Sequence, residues 1–236
     1  MNVFLAFRLQ QPTLPSREEH LRTIWRIAQL FEPFGLPIEI WHPAAPTRKK
    51  SLAYRAFDCG GPTPAALEIQ RVQDGKDGMA NYRSTGVWSG SEKGKGGVLS
   101  VSFSSNPDSP ICLFDLQFDE VDALDSARNM QQLMLGLLDI CPGAFYIEVG
   151  PLRYYTTYQV FPKRPGVGWM LYLPQAIVSE QLPEAAELLP VMEGEKQTGT
   201  IIVSVADAVF SADNPDHVEI ANAIEIRLAD QDLLPR

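Results

Sequence analysis

The feature that most constrains this chain is a block of three strand-like runs, Tyr82 to Gly90, Val98 to Ser105 and Ile111 to Phe118, set between stretches of helical periodicity. The runs are joined by Ser-Glu-Lys-Gly-Lys-Gly-Gly and by Asn-Pro-Asp-Ser-Pro, both turn chemistry. Strands punctuated in this way predict an antiparallel meander. Because strands and helices come in groups and do not strictly alternate, the class expected is α+β, with a meander sheet packed against about four helices.

The flanking segments fill in the plan. Val3 to Leu9 suits a first strand. Ser16 with Glu19 forms a capping-box pattern, opening a helix with Leu21, Ile24, Trp25, Ala28 and Phe31 on one stripe. Ile38 to Trp41 reads as a brief strand and His42 to Lys50 as a loop carrying Arg48-Lys49-Lys50. Thr63-Pro64 opens a second helix to about Val72. Asp122 to Ile140 is a third helix, stopped by Cys-Pro-Gly. Phe145 to Val149, Met170 to Leu173 and Thr200 to Val205 read as strands, with a Glu- and Leu-rich loop before the last. Tyr154 to Tyr158 fits no class clearly. Asn214-Pro215 caps a last helix with Val218, Ala221, Ile224 and Leu228 on its stripe. No internal repeat or low-complexity linker is present, so a single domain over 1-236 is expected, with pseudo-lobes 1-105 and 106-236 as the alternative.

Charge speaks about partners. Up to Ser105 there are 13 Lys and Arg against 9 Asp and Glu, a net of +4; from Asn106 on there are 7 against 20, a net of −13, together the −9 of the whole chain. Such a field attracts a basic partner and repels nucleic acid. There is no run of 18 apolar residues to span a membrane, and the first residues carry no basic n-region of a signal peptide. Cys59, Cys112 and Cys141 are odd in number and form no CxxC, so reduced thiols and a cytoplasmic location are expected.

Catalytic patterns are weak. His20, His42 and His217 are far apart in sequence and no cysteine lies at ligand spacing, so no metal and no cofactor is expected. GxSxG does not occur. Gly90 to Gly97 is not a phosphate loop, since Lys95 is followed by glycine and a strand. A metal-dependent nuclease would need two carboxylates and a lysine on rigid elements. Asp74-Gly75-Lys76, the one tripeptide of that form, reads as a turn. Two acidic groups remain. Asp115, Asp119, Glu120, Asp122 and Asp125 run from a strand end into a helix start, where carboxylates also serve as caps. Glu180, Glu184, Glu187, Glu193 and Glu195 surround a Leu-Pro-rich loop with Lys196 their one counter-charge, and suit either a solvated face or a surface for a basic partner. The aromatic cluster Tyr154, Tyr155, Tyr158, Phe161 and Trp169 suits core or interface.

The carboxy-terminal third carries a resemblance. Gly168-Trp-Met-Leu-Tyr-Leu-Pro174, Gly199-Thr-Ile-Ile-Val203, Phe210-Ser-Ala-Asp-Asn-Pro-Asp-His217 and Ile226-Arg-Leu-Ala-Asp230-Gln-Asp-Leu-Leu-Pro235 together resemble the immunity protein 52 family of bacterial polymorphic toxin systems. Trp25 and Trp88 are compatible with it. The resemblance implies a cytoplasmic immunity protein, or antitoxin, for a type VI secretion toxin used in bacterial competition. It further implies a nuclease inhibitor that acts through stoichiometric protein-protein interaction with a restriction-endonuclease-like domain, and not an enzyme. It transfers no inhibitory residue by position. Toxin contact is therefore expected, on charge and loop placement, at Glu180, Glu184, Glu187, Glu193, Glu195, Asp119, Glu120 and Asp122. The mildly basic amino-terminal half departs from a uniformly DNA-mimicking surface, so blocking the toxin's active site and blocking its assembly stay open. The oligomeric state is open too. The competing expectation is a small cytoplasmic hydrolase with a dispersed carboxylate site such as Asp115 and Glu148.

Overall fold

The computed structural model describes residues 1–8, 13–77, 80–91, 95–106 and 111–235. Its elements in chain order are β1 (Asn2–Arg8), α1 (Arg17–Gln29), β2 (His42–Pro43), α2 (Arg48–Leu52), β3 (Phe57–Asp58), β4 (Gly61–Pro62), α3 (Pro64–Asp77), β5 (Tyr82–Trp88), β6 (Gly96–Ser104), β7 (Ile111–Asp119), α4 (Ala127–Ile140), β8 (Ala144–Gly150), β9 (Met170–Leu173), β10 (Glu187–Glu193), β11 (Lys196–Val203) and α5 (Pro215–Asp230). This is an α+β fold, and every strand pairing with a described register is antiparallel. Among the described residues no helix is long and apolar enough to cross a membrane.

The chain divides into two compact units. The first comprises Met1–Leu5, Asp125–Leu135 and Ala144–Arg236; the second comprises Ala6–Leu124 and Gly136–Gly143. The charge step at residue 106 therefore lies inside the second unit.

In the second unit the meander is present, with strands in the order β7-β6-β5-β2. Val101 pairs with Phe114 and Thr85, so Leu99, Val101, Phe103, Phe114, Leu116 and Phe118 alternate onto one buried face. The capping box of α1 is formed. Ser16 Oγ accepts from the Glu19 N–H at 3.1 Å and Glu19 Oε2 accepts from the Ser16 N–H at 2.7 Å. Its buried stripe takes Ile27 where Trp25 was expected; Trp25 is half-exposed and donates its indole N–H to the Asp58 carbonyl at 3.1 Å. His20 is fully buried on that helix, with Nε2 3.0 Å from the Val101 carbonyl. Burial pushes its pKa down to about 4, which keeps the ring neutral.

Four local expectations are corrected. Ile38–Ile40 is a 3-10 helix, not a strand, because Pro37 sets the backbone and its carbonyl takes the Ile40 N–H at 3.2 Å. The basic triplet opens the short helix α2, capped by Thr47 Oγ1. Asp74 lies in helix α3, where it pairs with Arg17 at 2.7 Å and Arg83 at 3.2 Å. The Glu- and Leu-rich loop contains the strand β10, hidden from a sequence reading by Pro190 and by weak alternation. Proline is tolerated there because β10 is the edge of its sheet. Leu9 of the first expected strand, Gly78, residues 92–94 of the glycine-rich stretch and residues 107–110 of the Asn-Pro-Asp-Ser-Pro joint lie outside the described residues.

In the first unit the strands run β10-β11-β9-β8, followed by residues 2–5 of β1. Leu171, Leu173, Ile201, Ile202 and Val203 form its interior with Trp169, Phe210, Ile224 and Leu228. The motifs behind the family resemblance are spent on this framework. The Trp169 indole donates to the Val205 carbonyl at 2.9 Å, and His217 Nδ1 accepts the Ser211 N–H at 3.1 Å.

Candidate functional site

The aromatic segment of uncertain class folds as a π-helix, Tyr154–Tyr158, a rare form that is frequent at functional sites. It packs beside α5, and between them the first unit holds an organised polar interior. The Tyr154 hydroxyl donates to Glu225 Oε1 at 2.6 Å and lies 3.1 Å from Asn222 Oδ1. Glu225, fully buried on α5, also accepts the Val160 N–H at 2.9 Å and the Val167 N–H at 3.0 Å. The neighbouring Gly166 N–H donates to Glu148 Oε2 on β8 at 2.8 Å. Two consecutive amides thus divide between two carboxylates.

Glycine is required where this segment turns. Gly168 has φ of +50°, and a Cβ there would meet the Val149 carbonyl oxygen at 2.8 Å and the Tyr155 hydroxyl at 2.7 Å. Tyr155 fills the space beneath, its hydroxyl buried and without a hydrogen-bond partner among the described residues. The electrostatics follow from enclosure. Burial pushes the Glu148 carboxyl up to about 7, opposed by the Gly166 N–H and reinforced by the nearby Glu225 charge. Glu225 is also raised by burial, with its hydrogen-bond donors pulling the other way. Glu225 accepts three hydrogen bonds and Glu148 one, so donors offset the effect of burial more at Glu225 than at Glu148.

Beside this interior a groove of about 730 Å³ opens to solvent, lined by Arg153 and Tyr158 from the π-helix segment and by Val218, Glu219, Asn222 and Ile226 of α5. Arg153 pairs with Asp213 and lies over the Tyr158 ring at 5.7 Å. Ile226 is 46% exposed, outside the buried stripe of α5. Neither Glu148 nor Asp115 lines this groove or the smaller one beside His42 and Tyr54. Among the described residues no three His, Cys, Asp or Glu side chains gather where they could hold a metal ion.

The acidic residues selected from the sequence are dispersed. Glu187 and Glu193 begin and end β10, roughly 20 Å apart at strand rise. Glu193 and Glu195 are exposed at the tip of the β10–β11 hairpin, around Gly194. Glu187 is exposed, 3.4 Å from Gln131 Nε2, and Glu180 is exposed ahead of β10. Glu184 is engaged internally: Oε1 accepts from Arg227 Nε at 3.0 Å and Nη2 at 2.5 Å, and Oε2 is buried. Asp119, Glu120 and Asp122 belong to the second unit. Glu120 has φ of +52° and pairs with Lys95 at 3.3 Å, while Asp122 starts a 3-10 turn. Sequence reading missed the groove, although Ile226, an apolar residue off the helix stripe, was a visible signal for it.

No protein-family model matches the chain, and no curated protein sequence matches it. Among solved structures, Pseudomonas aeruginosa T6SS protein PA0821 is similar to it with a TM-score of 0.51 and 12% sequence identity, over 96% of this chain and 72% of that one. At that identity the likeness is one of fold.

Proposed function

We propose that the protein is an immunity protein that binds a cognate secreted toxin of a type VI secretion system in the cytoplasm and neutralises it stoichiometrically, without turnover. The observation that carries this reading is the fold likeness to a protein named as a T6SS protein, over nearly the whole chain. Two further features support it. The carboxy-terminal motifs resemble the immunity protein 52 family, and the chain from Ala144 on holds 13 Asp and Glu against 6 Lys and Arg, a net of −7. A nuclease domain must present positive charge to phosphates, and an acidic partner competes for that surface while long-range attraction speeds the encounter.

The test is protection. The protein is co-expressed with the toxin encoded beside it, and survival is scored together with co-purification of the pair. Survival with a stable complex supports the antidote reading; neither survival nor binding sinks it. A nuclease assay on the purified pair then separates inhibition of cleavage from simple sequestration.

A further inference from the structure

The groove between the π-helix and α5 has the attributes of an anchor site. Its volume of about 730 Å³ falls in the range of ligand-binding clefts, enough for two or three side chains. Its apolar surface comes from Val218, Ala223 and Ile226, and the exposed Leu152 precedes Arg153 in sequence. Its charge is acidic. Arg153, the one cation of the lining, is occupied by Asp213, whereas Glu219 in the groove and Asp216 one turn earlier form no ion pair among the described residues. An apolar trough with one unpaired carboxylate, Glu219, in its lining complements a segment that carries a large apolar side chain flanked by lysine or arginine.

The site is also built before any partner arrives. The buried Tyr154–Glu225 bond and the Asn222 contact tie the π-helix to α5, and Val160 and Val167 fasten the following loop to the same carboxylate. Walls fixed by internal bonds lose little conformational entropy on binding, so the contact free energy goes into affinity. The hairpin acids differ. Glu193 and Glu195 are exposed at a hairpin tip, an arrangement that steers a partner more than it holds one.

We propose that this groove is where the toxin anchors, accepting an apolar side chain of a basic segment against Val218 and Ile226 with Glu219 on the flanking cation. The proposal rests on the antidote reading and names the surface through which it would act.

The experiment measures the affinity and rates of the full-length protein for a catalytically inactive version of the toxin encoded beside it. Ile226→Lys and Ala223→Arg place charge and bulk in the groove, and Glu193→Lys with Glu195→Lys alters the hairpin. Each groove variant is expected to weaken binding at least about tenfold, mainly through faster dissociation, and the hairpin pair to change it less than about threefold, mainly through slower association. Ile226→Ala, which removes only an exposed apolar contact, carries the test should Ile226→Lys unfold. Groove variants that bind within about twofold of the wild type, while the wild type binds and protects, overturn the anchor and leave the antidote reading standing. A wild type that neither binds nor protects overturns both.

Discussion

Burial acts on His20 in the second unit and on Glu148 in the first with opposite signs. The base is pushed down to about 4 and the acid up to about 7, each because enclosure disfavours its charged form. Their surroundings differ as well. His20 sits against the Val101 carbonyl and the edge of the Phe103 ring, while Glu148 shares its interior with a second carboxylate held by amides and a phenol. The second unit keeps a neutral base between the Val101 carbonyl and the buried Gln70 amide, and its partly buried carboxylate Asp74 is met by two arginines. The first unit compensates a carboxylate with neutral dipoles alone, a costlier arrangement to disturb because no counter-charge remains if one donor is lost.

The largest effect expected from breaking this contrast is at Glu225. Replacing it by alanine strands the Val160 and Val167 amides, while the Tyr154 hydroxyl keeps Asn222 Oδ1 as an acceptor, and should cost about 3 kcal/mol in urea unfolding. A loss under about 1 kcal/mol would mean that water takes over the two amides.

The next effects are in pH dependence, and the signs can be worked out. His20 falls from 6.5 to about 4 on folding, so the unfolded chain binds more protons in that window; stability is full above it and lost as pH falls. Glu148 rises from 4.5 to about 7, so the folded chain binds more protons; stability is full at low pH and lost as pH rises. Where the windows overlap the two slopes oppose each other. Glu148→Gln should therefore expose the His20 slope, with stability rising towards neutral pH by about 1.4 kcal/mol per unit. His20→Gln should expose the reverse slope in the same range. Thermal midpoints from pH 4.5 to 6.5 check both, and single variants that leave the profile unchanged would break the comparison.

The smallest effects separate engaged from free acids on the surface. Glu184→Lys should cost about 1 kcal/mol because it sets like charge against Arg227. Glu193→Lys at the exposed hairpin tip should stay within about 0.5 kcal/mol of the wild type. Equal midpoints for the two variants would show the Arg227 pair to be without consequence for folding.

Much of the fold was legible in the sequence. The meander, the Ser16 capping box and the Asn214-capped last helix are encoded by neighbours in the chain, because turn residues, caps and periodicity act over a few positions. Less of the candidate site was legible. Ile226 stood off its helix stripe and was readable as unusual, but nothing near it in sequence announced Arg153 or Tyr158 as its neighbours across a groove. Glu184 read as one member of an acidic surface because its partner Arg227 is 43 residues away.

The sequence alone determined the class of fold, most of the local elements and the acidic field, since propensity, patterning and net charge are properties of short segments or of the whole composition. Tertiary structure decided which carboxylates are which. Glu148 and Glu225 are ordinary residues on an ordinary strand and helix until the Gly166–Gly168 turn brings amides to both. The Tyr154 segment, unassignable from sequence, is a π-helix packed beside α5. Burial, hydrogen bonding and pKa are pairwise and depend on steep functions of distance, so they exist only once residues far apart in the chain have been brought within a few ångströms of each other.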